Sequence, residues 1–145
     1  MSNKILVVDD DPADRKILAL LLQTTGEVLE ASTGEEALRI IEAERPRLML
    51  LDMVMPGMSG LEVLKASRTS TVTMTILVLT SQNDIELAKR ALALGAVEYI
   101  TKPFVLADLK EKVERCLKAV PEDKGKDGGL PWRTVGDVPP QSQAS

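Results

Sequence analysis

The chain has 145 residues, 44% hydrophobic and 28% charged, a composition that suits one globular domain and excludes a collagenous or wholly disordered polymer. A net charge of −4 with no cluster of Lys and Arg argues against a general nucleic-acid or anionic-membrane surface, and 2% aromatic residues leave the core to Leu, Ile, Val, Ala and Met. With no histidine, the chain cannot itself be a histidine kinase, a histidine phosphotransfer protein or a His-dependent hydrolase.

The first apolar run, Ile5-Leu6-Val7-Val8, is continuous rather than alternating, as expected of a strand covered on both faces by helices. Residues 1–11 carry too short an apolar run for a signal peptide, and no run in the chain approaches a membrane span. Asp9-Asp10-Asp11 stops the strand. Asp11 then reads as the cap of a helix opening at Pro12, with Ile17, Leu18, Leu21 and Leu22 on one side and Gly26 at its end.

The pattern recurs four more times. Residues 28–31 predict a second strand, and Thr33 with Glu36 resembles a capping box opening a helix that carries Ala37, Leu38 and Ile41. Leu48-Met49-Leu50-Leu51 predicts a third strand ending at Asp52, and the turn-rich Met55-Pro56-Gly57-Met58-Ser59-Gly60 leads to a helix bearing Leu61 and Leu64. Ile76-Leu77-Val78-Leu79 predicts a fourth strand ending at Thr80, followed by a helix through Leu87, Ala88, Ala91 and Leu94 that Gly95 can terminate. Residues 97–101 predict the fifth strand, Lys102-Pro103 follows, and Leu106, Leu109, Val113 and Leu117 predict the last helix, which also holds the lone Cys116 as a buried, inert thiol.

Strands alternating with helices imply an α/β fold, a doubly wound five-stranded parallel sheet with five helices, because right-handed crossovers place helices on both faces. The domain is expected over residues 1–120. From Pro121 onward Pro, Gly, Ser, Gln and charge dominate, so residues 121–145 read as a flexible polar tail or linker in which Trp132 is an isolated aromatic.

Ligands of open parallel sheets bind beyond the carboxyl ends of the strands. Asp9, Asp10, Asp52, Thr80 and Lys102 all fall at such ends. Singly, each reads more readily as a helix cap than as part of a site. Together, three carboxylates at one poorly solvated rim repel unless a cation sits there, and hard oxygen donors suit Mg²⁺. A metal, a carboxylate, a hydroxyl and an ammonium at one place suit phosphoryl transfer to a carboxylate, with Asp52 as nucleophile.

In Ile5-Leu6-Val7-Val8-Asp9-Asp10, in Leu50 through Gly60, in Leu79-Thr80-Ser81, and from Gly95-Ala96 to Tyr99-Ile100-Thr101-Lys102-Pro103-Phe104, the chain resembles the receiver family of two-component response regulators. The resemblance covers about residues 3–120 and extends to the single-domain chemotaxis and sporulation members of that family. It implies the flavodoxin-like strand order 2-1-3-4-5. It further implies that Asp10 and Asp52 bind Mg²⁺ directly, that Asp9 helps through water, and that the Val54 carbonyl is a further ligand. Asp52 becomes the aspartyl phosphate, Lys102 contacts it beside a cis Lys102-Pro103 peptide, and Thr80 with Tyr99 forms a switch pair reshaping the face of the fourth helix, fifth strand and fifth helix.

The implied partners are a sensor histidine kinase or histidine phosphotransfer protein as donor and a downstream protein target, with phosphorylation-dependent dimerisation as a further option. No membrane contact, no direct nucleic-acid contact and a cytoplasmic location are expected. Two departures from the family pattern stand out: residues 69–75 lack the usual proline, so a looser loop is expected, and Val54 and Gln82 occupy positions that tune hydrolysis. Among other readings, a dehalogenase-type phosphatase wants an acid where Val54 stands, and a flavin carrier wants donors where Asp9-Asp10-Asp11 stands. A receiver acting as the input module of a longer regulator remains the alternative to a stand-alone one.

Overall fold

Each of the five apolar runs becomes a parallel strand, and each is followed by a helix. The computed structural model describes residues 3–68 and 74–119. The expected loose loop falls largely on residues 69–73, and the tail with Trp132 falls within residues 120–145; both lie outside the described residues. In chain order the elements are β1 (Lys4–Val8), α1 (Pro12–Leu22), β2 (Glu27–Ala31), α2 (Gly34–Glu44), β3 (Leu48–Asp52), α3 (Gly60–Arg68), β4 (Thr75–Ser81), a 3-10 turn (Gln82–Asp84), α4 (Ile85–Ala93), β5 (Glu98–Lys102) and α5 (Leu106–Ala119). The sheet order is β2-β1-β3-β4-β5, all parallel, which is the expected doubly wound α/β architecture.

Successive strand residues point to opposite faces, and the two cores follow that alternation. Ile5, Val7, Leu48, Leu50, Leu77, Leu79 and Ile100 pack against Leu18 and Leu22 of α1 and Leu109, Val113 and Leu117 of α5. Leu6, Val8, Met49, Leu51, Ile76 and Val78 pack against Ala37, Ile41, Val63, Leu64 and Ala91 of α2, α3 and α4. Burial on both faces explains why these strands read as unbroken apolar runs rather than alternating ones.

Local chemistry sets the helix starts. The Asp11 carboxylate accepts from the Ala13 N–H at 2.9 Å and Pro12 opens α1. Thr33 Oγ1 accepts from the Glu36 N–H, but the Glu36 carboxylate accepts from the Ser32 N–H, one residue before the place a capping box assigns it. A full capping box forms instead at α3, where Ser59 and Glu62 exchange both bonds. Gly95, at φ 114°, takes a conformation closed to most side chains just after α4.

Three expectations need correction. Ile17 and Leu106 are 42% and 41% exposed: Ile17 lies on one edge of the α1 stripe, whose other edge, Leu18 and Leu22, is buried, and Leu106 is the first residue of α5. Gly26 is not the C-cap residue of α1, which is Gln23, although its N–H donates to the carbonyl of Leu22 at the helix end; it also permits close approach, since a Cβ there would run into the Asn3 carbonyl oxygen. β5 runs one residue later than expected, so Lys102 is its last residue rather than a loop residue.

Leu50 is fully buried in the core under α1 and α5. Leu50→Ala is expected to destabilise the domain by roughly 3 kcal/mol, from lost burial plus a residual cavity. Urea denaturation checks this, with the midpoint falling at an unchanged slope.

Candidate functional site

Strand alternation does more than build the core; it sorts the polar residues beyond the strand ends. Extending Ile5-Val7 gives Asp9, extending Leu48-Leu50 gives Asp52, and extending Ile100 gives Lys102, so all three continue the face covered by α1 and α5. Extending Ile76-Val78 gives Thr80, and Tyr99 pairs in register with Val78, so these two belong to the α4 face.

On the first face the side chains meet. The Lys102 ammonium donates to Asp9 at 3.0 Å, to Asp14 at 3.2 Å and to Asp52 at 3.4 Å. Asp9, Asp10 and Asp52 each offer an oxygen within 4.8 Å of the others, close enough to share one ion. Hard carboxylate oxygens in a group open on one side are the donor set that Mg²⁺ prefers. Asp9 is fully buried and Asp52 is 6% exposed, whereas Asp10 faces solvent.

The backbone holds this rim in place. The Asp9 side chain accepts from the Asp11 N–H at 3.0 Å, and the Asp9 carbonyl accepts from the Arg15 guanidinium at 2.8 Å. Arg15 also donates to Glu30 at 3.2 Å, which ties α1 to β2. The Asp52 carboxylate accepts from the Val54 N–H at 3.1 Å. Gly60 lets α3 start directly against the end of β3: a Cβ there would lie 2.4 Å from the Asp52 carbonyl oxygen. The Val54 side chain is exposed, and the Lys102-Pro103 peptide bond is cis.

Thr80 stands apart from the carboxylates in its bonding. It is buried, and its hydroxyl donates to the Asp84 carbonyl at 3.2 Å, with the Ser81 carbonyl at 3.4 Å. Ser81 donates to the Asp84 carboxylate at 2.9 Å and so braces the turn that presents this carbonyl. Tyr99 is half-buried against the core on the α4 side. Sequence reasoning missed Asp14 and Arg15. The available signal was position: Asp14 lies three residues after the cap Asp11, on the first turn of the helix that leaves the acidic loop.

Charge and burial act together on the two central groups. Burial pushes the Asp52 carboxyl up to about pKa 6; the Val54 N–H and the Lys102 charge oppose this, and nearby Asp9 reinforces it. Burial works against the Lys102 ammonium, but its hydrogen bond to Asp9, the charges of Asp52 and Asp9, and the hydrogen bond to Asp14 outweigh it and hold its pKa above the ordinary lysine value. Cys116 is shielded by burial, which pushes its thiol up to about 11 and suits the inert reading.

The Asp52 shift has a consequence for stability. Between the unfolded value of 3.8 and about 6 the folded chain binds more protons at Asp52 than the unfolded one, so stability falls as pH rises through this window. Asp52→Asn is therefore expected to be more stable than the native chain at pH 7 without divalent cations, by up to roughly 3 kcal/mol. The difference should close below about pH 4. Urea denaturation in EDTA at both pH values measures it, and an unchanged midpoint at pH 7 would refute it.

A family model described as the response regulator receiver domain matches residues 5–114. The chain is 36% identical over 144 residues to the alkaline phosphatase synthesis transcriptional regulatory protein PhoP of Bacillus subtilis, covering 95% of this chain and 60% of that protein. It is 33% identical over 118 residues to the sporulation initiation phosphotransferase F of the same organism, covering 81% of this chain and 95% of that protein. Among solved structures, the Vibrio cholerae chemotaxis protein CheY4 superposes with a TM-score of 0.74 at 33% identity, over 79% of this chain and 98% of that one. The chain thus spans 60% of the length of one curated relative and 95% of another. The sequence match across nearly all of the folded region and the matching fold agree: the chain belongs to the response regulator receiver domain family.

Proposed function

We propose that this receiver accepts a phosphoryl group on Asp52, from a histidine kinase or a histidine phosphotransfer protein, and passes the signal on through Thr80 and Tyr99. Receiver domains are signalling domains and bind Mg²⁺ at an acidic pocket. The observation that carries the reading is the cluster of Asp9, Asp10 and Asp52 around a common centre, with the Lys102 ammonium against Asp52.

In this reading Asp10, Asp52 and the Val54 carbonyl hold Mg²⁺, with Asp9 assisting through water. When bound, the ion supplies positive charge against the phosphoryl oxygens and relieves the repulsion among the carboxylates. An Asp52 carboxylate oxygen attacks phosphorus and forms the new P–O bond. The P–N bond of a phosphohistidine breaks, and its electron pair leaves on the imidazole, which takes up a proton. Lys102 turns a donor to the phosphoryl oxygens. Thr80 exchanges the Asp84 carbonyl for a phosphoryl oxygen, and Tyr99 follows it inward on the α4 face, reshaping the surface of α4, β5 and α5. That surface meets the downstream protein target or a second copy in a phosphorylation-dependent dimer.

The receiver occupies residues 1–120 in this proposal and works in the cytoplasm, with its own phosphorylation and dephosphorylation as its only chemistry. Among the described residues no helix is long and apolar enough to cross a membrane. The 95% coverage of phosphotransferase F supports a stand-alone receiver, with residues 121–145 as a tail. The 60% coverage of PhoP supports the second reading, the input module of a longer regulator, with those residues as a linker.

Acetyl phosphate with Mg²⁺ is expected to add about 80 Da, the mass of one phosphoryl group, to the native chain and nothing to Asp52→Asn. Intact-mass spectrometry reads both, with a third sample in EDTA expected to remain unlabelled. Equal labelling of the native chain and the variant would move the acceptor to another residue.

A further inference from the structure

Lys102 meets three carboxylates, but only Asp9 and Asp52 belong to the group able to share an ion. The third, Asp14, lies in the first turn of α1. An acid there ordinarily does no more than favour the positive end of a helix. Its contact with Lys102 gives it a second role.

An ammonium carries three N–H donors. At 3.0, 3.2 and 3.4 Å, Asp9, Asp14 and Asp52 occupy them all. When a phosphoryl group arrives on Asp52, the donor already on Asp52 can pass to one of its oxygens, and a second contact from Lys102 requires that Asp9 or Asp14 yield. Asp9 is a poor candidate: its side chain is fully buried, and a buried charge deprived of its partner is costly. Asp14 is the cheap one, because its side chain is 30% exposed and water can replace the ammonium.

We propose that Asp14 is a positioning residue that holds Lys102 in the unphosphorylated receiver and is the partner Lys102 releases when the phosphoryl group arrives. This inference rests on Asp52 being the acceptor. Asp14 restrains acceptance in two ways: it occupies a donor needed in the transition state, and its negative charge faces an incoming anionic phosphodonor. It thereby sets how readily the receiver is labelled without touching the reacting atoms.

The test is the rate at which acetyl phosphate with Mg²⁺ labels the full chain, followed by intact mass for the native protein, Asp14→Asn and Asp14→Glu. Asp14→Asn keeps the shape and loses the charge. It should label about two- to fivefold faster, the range set by losing one partly exposed ion pair. Asp14→Glu keeps the charge and should return toward the native rate. If Asp14 only favours the helix end, Asp14→Asn melts earlier and labels at the native rate, and the proposal is overturned. Slower labelling overturns it too, since Asp14 would then align Lys102 productively, and so does equal acceleration in Asp14→Glu. A native chain that takes no label at Asp52 overturns the acceptor reading and this inference with it.

Discussion

One ammonium among crowded carboxylates is the constraint on which the rest of the molecule depends. Asp9 and Asp52 sit at adjacent strand ends, both withdrawn from water, and Lys102 is the cation that touches them both. Like charges this close, in a medium that screens poorly, cannot all be ionised at low cost. Lys102 meets part of the imbalance, while burial, reinforced by nearby Asp9, pushes the Asp52 carboxyl up to about pKa 6. What is left is an unsatisfied negative potential at the sheet's edge. A divalent cation is the simplest group to satisfy it, and this is what supports the proposed sequence of metal binding followed by phosphoryl transfer.

The sheet also divides the work between its two faces. Asp9, Asp52 and Lys102 continue the strand positions that pack under α1 and α5, whereas Thr80 and Tyr99 continue the positions under α4. In the proposed reading, chemistry and response are therefore separated by one layer of backbone. Asp52 and Leu79 pair directly in register, and the Met53 N–H donates to the Leu79 carbonyl, so the end of β3 is bonded to the strand that carries Thr80. This connection supports the proposal that an event at Asp52 is felt on the α4 side: Thr80 need only exchange one acceptor, the Asp84 carbonyl, for another.

Much of this was legible in the sequence, for identifiable reasons. Strands buried on both faces leave an unmistakable continuous run, as in Leu48-Met49-Leu50-Leu51, and a polar residue that ends such a run is placed at the rim by the topology alone. Caps are equally local, and Asp11 with Pro12 fell where the pattern put them. The strand order had a different origin: it came from the resemblance to a family, since periodicity does not fix which strands pair. Missed were contacts made across space from a helix. Nothing in the spacing of α1 shows that Asp14 reaches Lys102 or that Arg15 grips the Asp9 carbonyl, because those contacts depend on how the helix sits on the sheet. The exposure of Ile17 has the same origin, as a helix's docking angle decides which edge of its apolar stripe is covered, whereas Leu106 is exposed as the first residue of α5.

The gradient of exposure across the rim explains how so dry a site remains reachable. Asp9 is sealed beneath the loop, Asp52 is nearly so, the Lys102 side chain is 24% exposed, and Asp10 and Asp14 stand toward water. Full burial would strengthen every electrostatic contact but would shut out a macromolecular donor; full exposure would admit the donor but screen the charges that hold the phosphoryl group. With Asp52 at the inner edge and its water-facing neighbours at the outer one, the proposed attack on a phosphodonor can begin from solvent while the charge that develops is met by groups already out of it. The groups that must stay fixed, Asp9 and Asp52, are pinned by the N–H groups of Asp11 and Val54. In the proposed reading the group that moves is Lys102, whose ammonium is held among the described residues by carboxylates, the most exposed of which it can leave at little cost.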